Sequence, residues 1–261
     1  MRFPYNLHIH SNQSRCARAE MTLENIIREA LEIGFDFIGI ADHVHDSNEP
    51  IDFLLTTKAQ LAVLRQQVTL PVLNGCEVTQ LTPTHFALAD EIAAQLDFVM
   101  VAPNHYHIHG VEQPSEFIPQ VYARHHLDLL EGAILWEHTD IIAHPFFPKL
   151  KRELRTKFEF TEYTAAIDRQ RLRALLALAV EKKVAFEVNP MYYFALPEFY
   201  QEFIEMAQAI GTRLAPGTDA HRLDFIDFNR FYLFLKNNNV GIELLGLREE
   251  DLFWPAVIKP C

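Results

Sequence analysis

Hydrophobic residues in this chain fall into short unbroken runs, separated by longer stretches whose apolar positions recur at helical spacing. The runs Phe3–His8, Phe35–Ala41, Pro71–Glu77, Asp97–Ala102, Ile141–His144, Val184–Val188 and Arg213–Ala215 read as strands. They are apolar throughout, as parallel strands covered on both faces are. Between them, Leu23–Gly34, Phe53–Gln67, Glu116–Glu131, Glu162–Lys183 and Pro197–Ile210 read as helices. Leu23, Ile26, Ile27, Ala30 and Leu31 mark the buried face of the first, Thr22 is placed to cap its start, and Gly34 and Gly211 are placed to end the first and last. Glu91–Leu96 reads as a helical turn or two, Thr84–Ala89 as a short extra strand, Lys149–Lys157 as a charged loop or helix start, and the tail as one or two further short helices. Strands alternating with helices predict a parallel sheet. The 261 residues contain no repeat and no Pro/Gly/Ser-rich linker, so the expected fold is one α/β domain over residues 1–261, a TIM-like β/α barrel.

Composition narrows the setting. A formal net charge of −12 makes nucleic acid an unlikely partner, although bound metal ions can reverse the sign of a local site. Cys16, Cys76 and Cys261 are too few and odd in number for a disulfide framework, which points to a reducing, cytoplasmic setting. The N-terminus runs straight into a strand without a signal-peptide core, and no apolar run is long enough to cross a membrane. Nothing in the sequence marks an oligomer interface.

The chemistry is concentrated at the strand ends. His8 and His10, Asp42 and His43, Glu77, His105, His144, Glu187 with Asn189, and Asp219 with His221 all fall there. Residues two apart on a strand share a face, so His8 and His10 can grip one ion. A barrel gathers its strand ends on one side, where so many imidazoles and carboxylates are costly to bury unless they bind metal. Imidazole with carboxylate suits Zn best, with Mn or Fe also fitting, and argues against Ca or Mg. The ligands outnumber what one tetrahedral ion needs, so two or three divalent ions are expected, with Glu77 able to bridge two of them.

The ordered motifs His8-Ile9-His10, Ala41-Asp42-His43, Gly75-Cys76-Glu77, Asn104-His105, Ala143-His144-Pro145 and Gly217-Thr218-Asp219-Ala220-His221 resemble those of the PHP (polymerase and histidinol phosphatase) superfamily. The resemblance runs from Asn6 to His221. It implies a distorted (β/α)7 barrel with a trinuclear metal centre that cleaves phosphate esters. By that resemblance His8, His10, Glu77 and Asp219 hold a first metal, Glu77 bridges to a second completed by His105 and His144, and His43 and His221 hold a third. Asn6 stands where the family often has Asp. Cys16, or alternatively Glu20, falls where many members supply a further third-metal ligand. The fourth motif offers His105, His107 and His109, of which His105 lies closest to the strand end.

The expected activity is metal-dependent hydrolysis of a small phosphomonoester or cyclic phosphate, with a metal-activated hydroxide as nucleophile. Glu77 and Asp219 are its central carboxylates, and His107 is a candidate proton donor to the leaving group. Arg222, Arg15 and Arg18 are candidates for the substrate phosphate. The run Lys149, Lys151, Arg152, Arg155 and Lys157 reads as a solvated face, or as a loop that meets a phosphate. Asp42 suits an orienter of a liganding histidine. Glu187 suits either a supporting role or a satisfied structural carboxylate, and Tyr192, Tyr193 and Phe194, which follow an Asn189-Pro190 turn, suit a pocket wall. Cys76 reads as core, and His45, His85, His125, His126 and His138 as packed or solvated residues. Two other functions fit the same barrel: amidohydrolase-type C–N hydrolysis, which a carboxylated lysine after a strand would support, and a non-catalytic degenerate barrel, which lost ligands would betray.

Overall fold

The computed structural model describes residues 2–46, 51–229 and 245–258. In chain order the elements are β1 (Tyr5–Ile9), α1 (Leu23–Ile33), β2 (Phe37–Val44), α2 (Asp52–Leu64), β3 (Val72–Thr82), β4 (His85–Phe86), α3 (Asp90–Ala93), β5 (Phe98–Ala102), α4 (Pro119–Leu135), β6 (Ile141–Ile142), α5 (Arg152–Arg155), α6 (Phe160–Ala165), α7 (Arg169–Lys182), β7 (Ala185–Val188), α8 (Pro190–Ala195), α9 (Pro197–Ile210) and β8 (Leu214–Pro216). Seven strands pair in parallel in the order β1-β2-β3-β5-β6-β7-β8, and β4 folds back antiparallel on β3. A single parallel bridge, Ile9 to Ala220, brings β1 against the chain just past β8 and nearly closes the barrel. This is the expected α/β architecture, a distorted seven-stranded barrel.

Local chemistry explains most element ends. Thr22 accepts from the Asn25 N–H at the start of α1, and Gly34 closes it at φ 85°, a left-handed conformation that suits glycine. The predicted helix Glu162–Lys183 is instead two, α6 and α7. Asp168 is the cause: its carboxylate accepts from the N–H groups of Gln170 (2.9 Å) and Arg171 (3.0 Å), so it starts a helix rather than sitting inside one. Asn189-Pro190, read as a turn from sequence, starts α8, with Asn189 capping Met191 and Pro190 in the first turn. β2 and β3 both run past their predicted ends, so His43 and Glu77 lie inside paired strands, directly opposite one another. Cys261 and part of the tail lie outside the described residues; the described tail holds single turns at Leu223–Phe225 and Glu249–Asp251.

The barrel floor is aromatic. A Cβ on Gly75 would stand 2.4 Å from the Phe98 ring, and one on Gly39 2.8 Å from both Phe98 and Leu7. Glycine at these two positions lets Phe98 and Leu7 fill the interior below the site. The β1–β2 register slips between Asn6 and Ile9. Such an irregularity re-aims side chains. Here Leu7 meets the floor while its neighbour His8 faces Glu77 above it. Among the described residues, no helix is long and apolar enough to cross a membrane.

Candidate metal centre

Glu77 is the hub. It is fully buried, and ring nitrogens of five histidines lie within 3.6 Å of its carboxylate: His43 Nδ1 and His144 Nε2 at 2.7 Å, His8 Nε2 and His105 Nε2 at 3.3 Å, and His10 Nε2 at 3.6 Å. Asp219 Oδ1 closes the other side, 3.1 Å from His10 Nε2 and 3.5 Å from His8 Nε2. Three groups of ligand atoms result: His8, His10, Glu77 and Asp219; Glu77, His105 and His144; and His10, His43 and His221. The first two share Glu77 and match the sets expected from the sequence. In the third, His43 Nε2 and His221 Nε2 face each other at 3.4 Å, and Cys16 Sγ lies 3.0 Å from His221 Nε2.

The donor set fits divalent cations. His8 Nε2, His43 Nδ1 and Glu77 Oε2 are buried polar atoms without a well-aligned hydrogen bond, both ring nitrogens crowding Oε2 at 3.3 and 2.7 Å. Buried polar atoms left bare in this way are rare and costly. The far sides of the rings are held: His8 Nδ1 lies 2.8 Å from Glu187 Oε1, and His105 Nδ1 2.9 Å from Thr79 Oγ1. Holding one ring nitrogen directs the other to the centre, as metal-binding histidines require. The His144 backbone N–H donates to Glu187 Oε2.

Two ligand positions carry unusual backbone: His144 has φ 28° and Asp219 φ 54°. Both are left-handed conformations that side chains other than glycine seldom adopt, and such outliers gather at functional sites. The Tyr200 hydroxyl donates to the Pro145 carbonyl and helps hold the first of these turns.

Electrostatics follow the geometry. Burial pushes the Glu77 carboxyl up, but His43, His8, His105 and His144 outweigh it and hold it well below the usual carboxylate range. Asp219 behaves alike, with Lys149 and then His8 countering burial. Burial alone is the largest influence that pulls His10 and His105 well below the ordinary histidine value. Both are therefore neutral near pH 7, the form that binds metal.

Other predicted residues sort clearly. Asp42 is an anchor: it accepts from the Ser11 N–H (2.7 Å), the Ser11 hydroxyl (2.6 Å) and the Ser14 hydroxyl (2.7 Å). Asn6 accepts from the His8 N–H (3.0 Å) and donates to Thr218 Oγ1 (2.7 Å), tying β1 to the Asp219 loop. Glu20 is corrected: it is exposed, its nearest charged partner is Arg18 at 3.9 Å, and it joins none of the three groups. Cys16 is exposed as well and joins none of the three groups, but its Sγ lies 3.0 Å from His221 Nε2. Arg15 and Arg18 are exposed on the same loop, and the Arg222 guanidinium forks onto Asp224 at 2.6 and 2.8 Å. His107 packs 5.2 Å from the His105 ring, with Nδ1 3.1 Å from the Lys149 carbonyl oxygen. Cys76 is buried core.

Two residues were passed over. His45 stacks on His43 at 4.5 Å and shares the Thr79 hydroxyl with His105. Its signal was present, because His43-Val44-His45 repeats the spacing of His8-Ile9-His10. Lys149, read within a solvated run, instead places Nζ 3.0 Å from Asp219 Oδ2.

The chain belongs to the PHP domain family, whose pattern it matches over residues 6–191. The fold is similar to a histidinol phosphate phosphatase from Lactococcus lactis subsp. lactis solved with zinc, L-histidinol and phosphate: TM-score 0.61, 18% identity, 94% of each chain covered. It is similar also to a candidate histidinol phosphatase from Listeria monocytogenes (TM-score 0.63, 15% identity, 88% of this chain and 99% of that one). A chain in an archaeal ribonuclease P bound to mature tRNA has the same fold (TM-score 0.52, 13% identity, 93% and 85% covered). No curated protein matches the sequence.

Proposed function

We propose that this protein is a metal-dependent phosphatase of the cytoplasm, hydrolysing a small phosphomonoester or cyclic phosphate. The observation that carries the proposal is the pair of ligand groups sharing Glu77, a carboxylate placed to bridge two ions. His8, His10, Glu77 and Asp219 would hold one, and Glu77, His105 and His144 the next. His43 and His221, with Cys16, would hold a third. Zinc suits this imidazole-rich set best, with manganese or iron as alternatives. Bound divalent ions supply Lewis acidity, which polarises phosphoryl oxygens and lowers the pKa of water.

The protein's own groups do the rest. Glu77 and Asp219 stay ionised, because the cations around them hold their carboxyls low, so the anionic ligands persist into acid. Glu187 and Thr79 fix the His8 and His105 rings. His107 donates Nδ1–H to the Lys149 carbonyl, and burial keeps its pKa below the ordinary histidine value, so its bare Nε2 would first take a proton from the attacking water and then pass it to the leaving oxygen. Phe98 and Leu7 pack inside the barrel below the site.

A lysine at the site raises the amidohydrolase alternative, but Lys149 pairs as an ammonium with Asp219 and is not placed among the histidine ligands. The degenerate-barrel alternative is disfavoured by the complete first two groups. Glu77→Ala tests the proposal: bound metal and hydrolysis across a phosphoester panel are both expected to be lost. Wild-type turnover in that variant, or wild-type activity on amides and lactams but on no phosphoester, would refute it.

A further inference from the structure

Lys149 is a cation fixed at the barrel top beside Asp219. It follows His144 by five positions, on the loop after β6. Its backbone is clamped from two directions: its N–H donates to the Asn104 carbonyl (2.9 Å), and its own carbonyl accepts the His107 N–H (2.9 Å). Its Nζ stands 3.0 Å from Asp219 Oδ2 and 5.1 Å from the Tyr192 ring centroid. The opposite oxygen of that carboxylate, Oδ1, faces His8 and His10. One carboxylate therefore separates the ammonium from the ligand atoms. The side chain keeps 20% of its surface exposed, so part of it reaches solvent. An ammonium has three donors, and Asp219 and the Tyr192 hydroxyl engage two of them, which leaves one.

The arginines expected to meet phosphate are placed otherwise. Arg222 forks onto Asp224 and lies over the Phe225 ring at 4.8 Å, while Arg15 and Arg18 are exposed on the loop after β1. Lys149 is the cation fixed beside the ligand atoms themselves.

We propose that Lys149 is the phosphoryl-binding cation of this site, and that it biases the site toward dianionic phosphomonoesters over monoanionic diesters. The inference rests on the phosphatase proposal and names its substrate class. A phosphomonoester has three non-bridging oxygens and a diester two. The third oxygen, and the second negative charge that comes with it, gain from a further cationic donor beside the metal positions. A fixed point charge at the edge of a poorly solvated cleft supplies both the donor and a preference for the higher charge.

The test is calorimetric titration of metal-loaded wild-type and Lys149→Met proteins with inorganic phosphate and with dimethyl phosphate. Metal content is measured on the same samples. Phosphate affinity is expected to fall roughly 10- to 100-fold, the effect of one charge-assisted hydrogen bond. Dimethyl phosphate binding and metal content should stay near wild type. Lys149→Gln gives the same comparison should the Met variant fail to fold. The proposal is overturned by unchanged phosphate affinity at full metal loading, by equal losses for the two anions, or by a loss that disappears at saturating metal. The last result would make Lys149 a support for Asp219 alone. Binding is read without turnover, so a wild-type protein that binds phosphate through Lys149 but hydrolyses no ester would sink the phosphatase proposal and leave this one standing.

Discussion

Replacing Glu187 with glutamine asks how far the metal ligands depend on what holds them from behind. Glu187 is fully buried. Its Oε1 accepts from His8 Nδ1 at 2.8 Å, and its Oε2 accepts the His144 backbone N–H. The first bond keeps the proton on Nδ1 and leaves Nε2 bare toward Glu77 and Asp219. The second steadies a residue at φ 28°. Glutamine preserves the shape but has one acceptor oxygen. Its amide NH₂ must face one of the two donors, so one hydrogen bond is lost and a buried donor is left unsatisfied. That costs about 1–3 kcal/mol of stability. Loss of such an outer partner also weakens metal binding by roughly 10- to 100-fold. The assay is competition for zinc between the metal-free protein and a fluorescent chelator, with turnover followed at limiting and saturating zinc. Weaker binding, with activity restored at saturation, is the expected result. Unchanged zinc affinity would refute the reasoning. So would an activity loss that zinc does not restore, because Glu187 would then act on the substrate rather than through His8.

Gly217→Ala should lower the melting temperature and loosen metal binding, since its new Cβ would stand 2.4 Å from Glu187 Oε1 and 2.8 Å from His8 Cβ. Overpacking of this kind costs about 1–3 kcal/mol, and a variant as stable and as metal-replete as wild type would count against the packing described. Burial pushes the Cys16 thiol up, but hydrogen bonds with His221 and then His43 outweigh it and bring the pKa from 9.0 to about 6. The thiolate therefore forms as pH rises through about 6, so alkylation of Cys16 in metal-free protein, located by mass spectrometry, should climb through that range and be suppressed by zinc. A midpoint near that of a free thiol, about 8.5, would contradict this. His107→Ala should slow hydrolysis of an alkyl phosphate by about 100-fold and of p-nitrophenyl phosphate far less, because a good leaving group needs no proton. Equal losses on the two esters would remove His107 from proton transfer.

Much of the barrel was legible because buried parallel strands leave a plain trace. Each of the seven runs became a strand, and the ligands ascribed to the first two metals sit at or just past a strand end, apart from Glu77, which lies inside β3. The misreadings have local causes. Asp168 sat at a helix-compatible position, and only its backbone caps reveal that it divides the pattern. Asn189-Pro190 signals a turn and a helix start equally well. Glu20 and Cys16 were indistinguishable by spacing, because a loop without periodicity does not say which side chain turns toward the histidines. Lys149 was hidden among neighbouring cations that do reach solvent. Its inward turn depends on contacts with Asn104 and His107, more than 40 residues away in sequence.

The seam of the barrel gives the metal centre a second consequence. β1 meets the chain beyond β8 through two backbone hydrogen bonds, His10 N–H to the Ala220 carbonyl (2.9 Å) and Ala220 N–H to the His8 carbonyl (3.0 Å). The residues flanking that narrow join are His8 and His10 on one edge and Asp219 and His221 on the other. An ion held across them would rivet the first strand to the last, at the place where the sheet is most thinly stitched. Metal supply would then govern not only whether the protein can react but whether its cylinder stays shut, and the exchange rates of those two amides would measure how tightly it is fastened.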